Sequence, residues 1–325
     1  MKGEINIDNY SKKFVTAVKS GDIEELRTIP KSDLHNHFIL GGNRKYLKEK
    51  IGVNIPILTK KLKSMDDMHN WVGENIGDIF SSKEKRVLAI EACFKQAKDD
   101  GVTILEVGDD VWANGHYYNY DIDELINTFQ TVHKQMAPEI DFRFQIGLSR
   151  HCSINMLEKW VEPFLERDCF YSIDLYSDEM AQPIKNFKNI YRKAKEKGLI
   201  LKAHVGEWGN ADSVKEAVEE LELSEVQHGI SASTSSSIMY WLADNKIQLN
   251  ICPTSNVMLD RVEELKRHPI RTLFDHGVMV TINTDDVLVF NQSVSEEYIN
   301  LFRERVFTAE ELDLIRMYGL GSDRI

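Results

Sequence analysis

Cysteine is scarce in this chain and follows no pattern. Only four of the 325 residues are cysteine, and no two of them form a C-x-x-C pair. This spacing predicts neither a disulfide framework nor a zinc site built from thiolates. Buried free thiols in a reducing compartment are the simpler interpretation. We therefore expect four unpaired thiols, at Cys93, Cys152, Cys169 and Cys252.

Long apolar runs are also missing. No stretch approaches the roughly 18 apolar residues that span a bilayer. The first ten residues are polar and contain no apolar signal-peptide core. The seven prolines form no linker that would divide the chain. These absences predict a soluble cytoplasmic protein without a membrane partner, folded as one domain over residues 1–325.

A surplus of basic residues is absent as well. The chain has 40 Lys and Arg against 52 Asp and Glu, which gives a formal net charge of -12. A nucleic-acid partner requires a basic face, so we expect none. A small-molecule substrate is compatible with this balance, whereas the sequence makes no prediction about the oligomeric state.

Short apolar runs alternate with amphipathic stretches beyond residue 100. The runs are Val102–Val107, Phe142–Leu148, Tyr171–Leu175, Leu199–His204, Val226–His228, Ile247–Cys252 and Val278–Asn283. Helical segments are predicted between them, at 121–136, 153–166, 185–197, 212–221 and 235–245. With a first strand at Asp33–His37 there are about eight strand–helix units, which is typical of an α/β fold of the (β/α)8 TIM-barrel type.

Two helical regions surround the first strand. Apolar spacing predicts an N-terminal helix over residues 11–26, followed by Pro30. Residues 46–99 are predicted to be a mainly helical insertion after the first strand. Its apolar face has two interpretations, a lid over a pocket or an ordinary buried helix face.

Candidate metal ligands and acid–base groups follow the predicted strands. His35 and His37, two residues apart on a strand, would project to the same side and reach one metal ion. Other candidates follow strands five, six and eight, and they are His204, Glu207, His228, Asp285 and Asp286. Singly, each histidine could be a packed core residue and each aspartate a helix cap. Jointly they predict an active site, because barrel enzymes place their chemistry at the carboxyl ends of the strands.

Five motifs carry a resemblance to a known family. They are P-K-S-D-L-H-N-H, A-H-V-G-E, Q-H-G, C-P-T-S-N and N-T-D-D, in this order. The set resembles the adenosine deaminase branch of the amidohydrolase superfamily, from about Pro30 to the C terminus. The resemblance implies hydrolytic deamination of a 6-aminopurine, either adenosine or an adenosine-like nucleoside that can be modified at the 5′ position, with release of ammonia and a 6-oxopurine.

The resemblance also implies roles for the individual residues. One Zn²⁺ per chain would be held by four ligands, namely His35, His37, His204 and Asp285. His228 would orient and deprotonate the attacking water and stabilise the charge that builds on it. Asp286 would hydrogen-bond the water and the purine, and Glu207 would protonate the purine ring. Substrate-binding residues would include Gly206, Ser177 and Asp286.

Three positions depart from the family pattern. Ser177 replaces a glycine whose backbone N–H binds the base, and Ile39 replaces an aspartate that contacts the sugar 5′ hydroxyl. Ile39 therefore predicts a substrate that is less polar there, or one without a ribose. Asp109 and Asp110 stand where relatives carry a basic residue, and they either face the pocket or cap the next helix. Roles for Asp174 and Glu179 stay open between structure and function.

Other functions are also compatible with this sequence. An adenine or N6-substituted adenine deaminase, or a mononuclear amidohydrolase acting on another cyclic amidine or amide, would suit the same ligands. Two-metal relatives use a lysine at the end of strand four, where this chain has Asp174-Leu175-Tyr176. A catalytically silent nucleoside-binding protein is a further alternative, although all the expected catalytic groups are present.

Overall fold

The eight strands form one parallel sheet that curls into a barrel. The structure, a computed structural model, describes residues 7–321, so the first six residues of the polar N terminus and the last four residues lie outside it. Strands follow chain order around the sheet, each paired in parallel with the next. They are β1 (Lys31–Asp33), β2 (Val102–Asp110), β3 (Asp141–Ser149), β4 (Ser172–Tyr176), β5 (Ile200–Val205), β6 (Glu225–His228), β7 (Gln248–Ile251) and β8 (Met279–Ile282). The predicted (β/α)8 barrel is confirmed.

Helices surround this sheet. They are α1 (Ile7–Ser20), α2 (Ile23–Leu26), α3 (Arg44–Ile51), α4 (Met65–Asn75), α5 (Lys83–Asp99), α6 (Val111–Tyr117), α7 (Ile122–Met136), α8 (Ile154–Leu165), α9 (Lys188–Glu196), α10 (Ala211–Leu221), α11 (Ser236–Asp244), α12 (Pro253–Met258), α13 (Ile270–Asp275), α14 (Val287–Phe290), α15 (Val294–Arg303) and α16 (Ala309–Gly319). The five helical segments predicted between strands correspond to α7 through α11. Within residues 7–321, no helix is both long and apolar enough to cross a membrane.

The N-terminal helix prediction needs correction. It is two helices, because Gly21 adopts a left-handed φ of 70° and Asp22 caps α2 with its side chain. The insertion over residues 46–99 is mainly helical, as predicted, with a break between α3 and α4. Helix α3 ends at Gly52, in the left-handed conformation with φ 68°, and residues 52–64 are not helical.

The first strand is shorter than predicted. It ends at Asp33, so His35 and His37 follow the strand rather than lie on it. The chain leaves the sheet there because the next groups bond elsewhere: the N–H of Leu34 donates to the side chain of Asn283 at 2.8 Å. The prediction that His35 and His37 alternate on a strand is therefore wrong, although both rings still face one centre.

The barrel closes where the sequence places its candidate ligands. The N–H of Asp285 donates to the carbonyl of His35 at 2.9 Å, and Asn36 forms a single bridge to Asp285. These bonds join the segment after β8 to the segment after β1. Helix α16 covers the same seam at Gly319, where an added Cβ would lie 2.2 Å from Oγ of Ser32.

Polar side chains fill the barrel interior beneath this edge. Nζ of Lys202 lies 2.8 Å from a carboxylate oxygen of Glu106 and 2.8 Å from one of Glu225. All three side chains are buried. Pairing of opposite charges is what makes such burial tolerable, and the apolar core lies instead between the strands and the surrounding helices.

Candidate active site

Three histidines and one aspartate converge at the carboxyl ends of β1, β5 and β8. Oδ1 of Asp285 lies 3.7 Å from Nε2 of His35 and 3.3 Å from Nε2 of His37. Nε2 of His204 is 3.2 Å from Nε2 of His37. The structure thus brings together the four residues that the resemblance implies as ligands.

Hydrogen bonds on the far side of two rings fix their orientation. Nδ1 of His35 lies 3.0 Å from the carbonyl oxygen of Asn250, and Nδ1 of His204 lies 3.2 Å from Oδ1 of Asp174. Such partners orient metal-binding imidazoles so that Nε2 faces the ion. Asp174, left open by the sequence, therefore positions His204.

The donor set fits a divalent metal ion. Nε2 of His35 is buried and has no hydrogen-bond partner among the described residues. Burial, with the neighbouring His228 and His204, holds the pKa of His35 well below its usual range, which keeps its lone pair available. Burial opposes ionisation of Asp285, but its hydrogen bond to His37 and the nearby histidines hold its pKa below the usual range. A neutral imidazole at His35 and a carboxylate at Asp285 are ligands that zinc accepts.

Cys252 also lies at this centre, which the sequence interpretation missed. Its thiol is within 4.8 Å of ligand atoms of His35, His228 and Asp285. Burial raises the pKa of the thiol well above its usual range. Because the thiolate is the metal-binding form, Cys252 is a weaker candidate than the three histidines. All four cysteines are unpaired, and Cys93 and Cys252 are buried.

Glu207 lies beside the same centre in a dry environment. Oε1 lies 3.6 Å from Nε2 of His228 and accepts a bond of 3.0 Å from the amide nitrogen of Asn256. Oε2 accepts a bond of 2.9 Å from the Trp208 indole. Burial, with the charges of Asp285 and Glu179, raises the pKa of Glu207 to about 8. The carboxyl can therefore hold a proton at neutral pH.

Glu179 anchors the turn that carries Glu207. Its two carboxylate oxygens accept the backbone N–H groups of residues 206, 207, 208 and 209, at 2.7 to 3.2 Å. Gly206 has a φ of 75°, and an added Cβ would lie 2.3 Å from Val214. Gly206 donates to Glu179 and is not among the residues that line the cavity. The prediction that Gly206 binds substrate gains no support from this geometry.

A cavity of about 350 Å³ opens onto the centre. One wall is apolar and comes from the segment after His37 and from α4, with Ile39, Leu40, Met65, Met68 and Val72. Helix α4 therefore forms part of the cavity wall, which leaves the lid interpretation a prediction. Asp286 also lines the cavity, and its Oδ1 has no partner among the described residues.

Ser177 lines the cavity in a conformation that glycine favours. Its φ is 76°, in the left-handed region, and its hydroxyl lies 3.1 Å from Nδ1 of His151. The backbone geometry that a glycine would supply is thus kept with a serine. His151 is exposed and is not among the cavity-lining residues.

A second wall of the cavity is polar. Arg86 from α5 pairs with Oδ1 of Asp109, whose Oδ2 is buried and has no partner within residues 7–321. Asp110 accepts the hydroxyl of Ser149 and also caps α6 through the N–H of Trp112 at 3.1 Å. Both aspartates line the cavity. Asp110 therefore combines the two predicted positions, because it lines the pocket and also caps α6.

Comparison with known proteins identifies the family. A family model described as adenosine deaminase matches residues 59–322. The chain belongs to the adenosine deaminase family. It is an adenosine/adenine deaminase-like enzyme, a hydrolase that acts on C–N bonds in purines.

Individual relatives agree with this assignment. A protein of Treponema pallidum, provisionally named adenosine/adenine deaminase, is 34% identical over 279 residues, which are 86% of this chain and 93% of the relative. The solved adenine deaminase of Arthrobacter aurescens is 22% identical with a TM-score of 0.77, over 90% of this deaminase and 93% of that chain. An amidohydrolase of Burkholderia ambifaria, solved with bound Zn, is 18% identical with a TM-score of 0.74, over 99% and 89%. These two structures support the fold.

Proposed function

We propose that this deaminase uses one zinc ion to replace the exocyclic amino group of a 6-aminopurine nucleoside by oxygen, releasing ammonia and a 6-oxopurine. The observation that carries the proposal is the convergence of four candidate ligand side chains, His35, His37, His204 and Asp285, next to the buried carboxyl of Glu207. Zinc held there would supply a bound water of lowered pKa.

Three further side chains are placed to act on water and purine. Glu207 donates its proton to the ring nitrogen beside the carbon under attack, which a carboxyl with a raised pKa can do at neutral pH. His228 orients the water and stabilises negative charge on its oxygen. Asp286 hydrogen-bonds the water and the five-membered ring through Oδ1, which has no partner in the described part of the chain.

The two walls of the cavity support a nucleoside with a neutral, weakly polar 5′ end. Ile39 and Leu40 offer nothing that pairs with a hydroxyl, so a substrate group beside them is best apolar. The polar wall, with Asp109, Asp110 and Ser149, offers hydrogen-bonding groups to hydroxyl groups of the substrate. A sugar presents such hydroxyls, whereas free adenine does not.

The charge of the lining argues against a nucleotide. Among the described residues that line the cavity, Arg86 is the only arginine or lysine, and Asp109 neutralises it. A phosphate would face Asp109 and Asp110 without a free cation.

The second candidate function is deamination of free adenine, which the name of the Treponema relative also covers.

A substrate panel tests this proposal. We would measure ammonia released from adenosine, 5′-deoxyadenosine, 5′-methylthioadenosine, N6-methyladenosine, AMP and adenine, with metal content determined by elemental analysis. We expect one zinc per chain and kcat/KM values for the 5′-apolar nucleosides at least about tenfold above those for AMP and adenine. No ammonia from any compound with zinc bound would refute deamination, and a preference for AMP or adenine would refute the nucleoside assignment.

A further inference from the structure

Buried hydrogen bonds lead from the backbone of α13 to two active-site side chains. The N–H of Ile270 donates to Nδ1 of His268 at 3.1 Å. Nε2 of His268 lies 3.3 Å from Oδ1 of Asn256. The amide nitrogen of Asn256 in turn lies 3.1 Å from Nδ1 of His228 and 3.0 Å from Oε1 of Glu207. Asn256 and His268 are buried, with exposed fractions of 0% and 2%.

The first bond fixes the direction of all the others. A backbone N–H can only donate, so Nδ1 of His268 is an acceptor and the neutral ring carries its proton on Nε2. Burial keeps this ring neutral by lowering the pKa of His268 to about 3. The Nε2 proton goes to the oxygen of Asn256, which orients the amide with its nitrogen toward the active site. The two hydrogens on that nitrogen then reach His228 and Glu207.

We propose that Asn256, oriented by His268, is a positioning residue that holds His228 in the tautomer protonated on Nε2. Nε2 is the atom of His228 that faces the centre, 4.0 Å from Oδ2 of Asp285. Protonated there, the ring donates to an oxygen and stabilises negative charge, but it has no lone pair with which to remove a proton. This differs from the deprotonating role that the resemblance implies for His228.

The same orientation leaves the proton of Glu207 for the substrate. Three groups lie against its carboxyl oxygens: the amide nitrogen of Asn256, the indole N–H of Trp208 and Nε2 of His228. With His228 in the proposed tautomer, all three are donors, and none of them can accept the Glu207 proton. This catalytic consequence rests on the deaminase function proposed above, whereas the tautomer does not.

Nitrogen NMR of enzyme labelled with ¹⁵N-histidine tests the tautomer, with and without added Zn²⁺. The resonances of His228 are assigned by their loss in His228→Gln. We expect wild-type His228 to be protonated on Nε2 and unprotonated on Nδ1. Asn256→Asp should reverse this, because a carboxylate accepts where the amide donates. Wild-type His228 protonated on Nδ1 would overturn the proposal without any variant having to fold.

Turnover provides the second measurement. Asn256→Asp should lower kcat at least about 100-fold, with KM changed far less, because substrate contacts are retained while the donor is lost. The matched control is Asn210→Asp, since Asn210 caps α10 outside the cavity and aspartate caps equally well. It should keep the wild-type tautomer and kcat. Wild-type kcat in Asn256→Asp would refute the positioning role. If His228 is protonated on Nε2 but the enzyme deaminates no purine, the tautomer proposal is supported and the proposed function is refuted.

Discussion

Two opposing effects set the pKa of Glu207. Burial and neighbouring carboxylates raise its pKa to about 8, while hydrogen bonds from Asn256 and Trp208 act in the other direction. Burial is the largest of these effects, so the acid form dominates at neutral pH. The carboxyl nevertheless reaches the cavity, because Glu207 is one of its lining residues.

Replacing Glu207 by glutamine removes the acidic proton and keeps the shape of the side chain. We expect Glu207→Gln to lower kcat by about 10² to 10⁴, the usual contribution of a general acid, with zinc content unchanged because the four ligands are intact. Steady-state kinetics and elemental analysis on one preparation give both values. Glu166→Gln, at an exposed position at the end of α8, is the control. Turnover near that of the wild type would contradict the assigned role.

Ile39 is the residue at which specificity for the 5′ group is most open to test. A carboxylate introduced there can pair with a hydroxyl, so Ile39→Asp should raise the ratio of kcat/KM for adenosine over 5′-deoxyadenosine by about tenfold, the equivalent of one hydrogen bond. Ile57→Asp is the control, because Ile57 is 64% exposed and is not a cavity-lining residue. An unchanged ratio would show that Ile39 does not determine the preference for the 5′ group.

At the scale of elements, the turn between β5 and α10 depends on one carboxylate. Glu179 comes from the segment after β4, yet it accepts four consecutive N–H groups of that turn. These four bonds tie the turn to a residue of another loop. The position of the Glu207 side chain is thus set by a neighbouring loop as well as by its own strand.

The variant Glu179→Gln replaces one accepting oxygen with an NH₂ group, which cannot accept a hydrogen bond from a backbone N–H. We expect faster hydrogen exchange of residues 206–209 and a loss of about 1–3 kcal/mol of unfolding free energy. Exchange measured by mass spectrometry and urea unfolding provide the two readouts. Glu162→Gln, which breaks only an exposed ion pair with Lys193, should change neither. Unchanged exchange of the turn would show that Glu179 does not hold it.

At the scale of the whole molecule, a buried carboxyl couples stability to pH. Glu297 on α15 is fully buried, and Oε2 has no partner among the described residues. Burial raises its pKa to about 8, although the N–H of Thr254 opposes the shift. The folded state therefore keeps a proton that the unfolded chain has lost above about pH 4. Its contribution to stability is full below that pH and falls as pH rises toward 8.

Glutamine at this position stays neutral at every pH. Glu297→Gln should therefore gain stability relative to the wild type between pH 5.5 and 8.5, on the order of a few kcal/mol. Urea unfolding of both proteins at the two pH values measures the gain. The exposed Glu304→Gln should show no such trend. A stability difference that does not vary with pH would contradict a raised pKa at Glu297.

Much of the fold could be predicted from local pattern. Apolar runs marked seven of the eight strands, and helical spacing marked α7 to α11, because both periodicities are repeated within a few residues. The histidines, Glu207 and the two aspartates stood out because strand ends share one edge of a barrel. β1 was misjudged because its pattern looks extended through His37, whereas bonds to the distant Asn283 end it at Asp33.

By itself, the sequence determined the order of strands and helices, the barrel they form and the residue types available for a metal site. Only the tertiary structure decided that Glu179 anchors the Glu207 turn, that the N–H of Gly206 donates to Glu179 and that Asn256 and His268 lie in a row of hydrogen bonds leading to His228. Each of these outcomes depends on hydrogen bonds or packing that only the assembled barrel brings together. A local pattern records which residues recur along the chain, but not which buried donors and acceptors meet after folding.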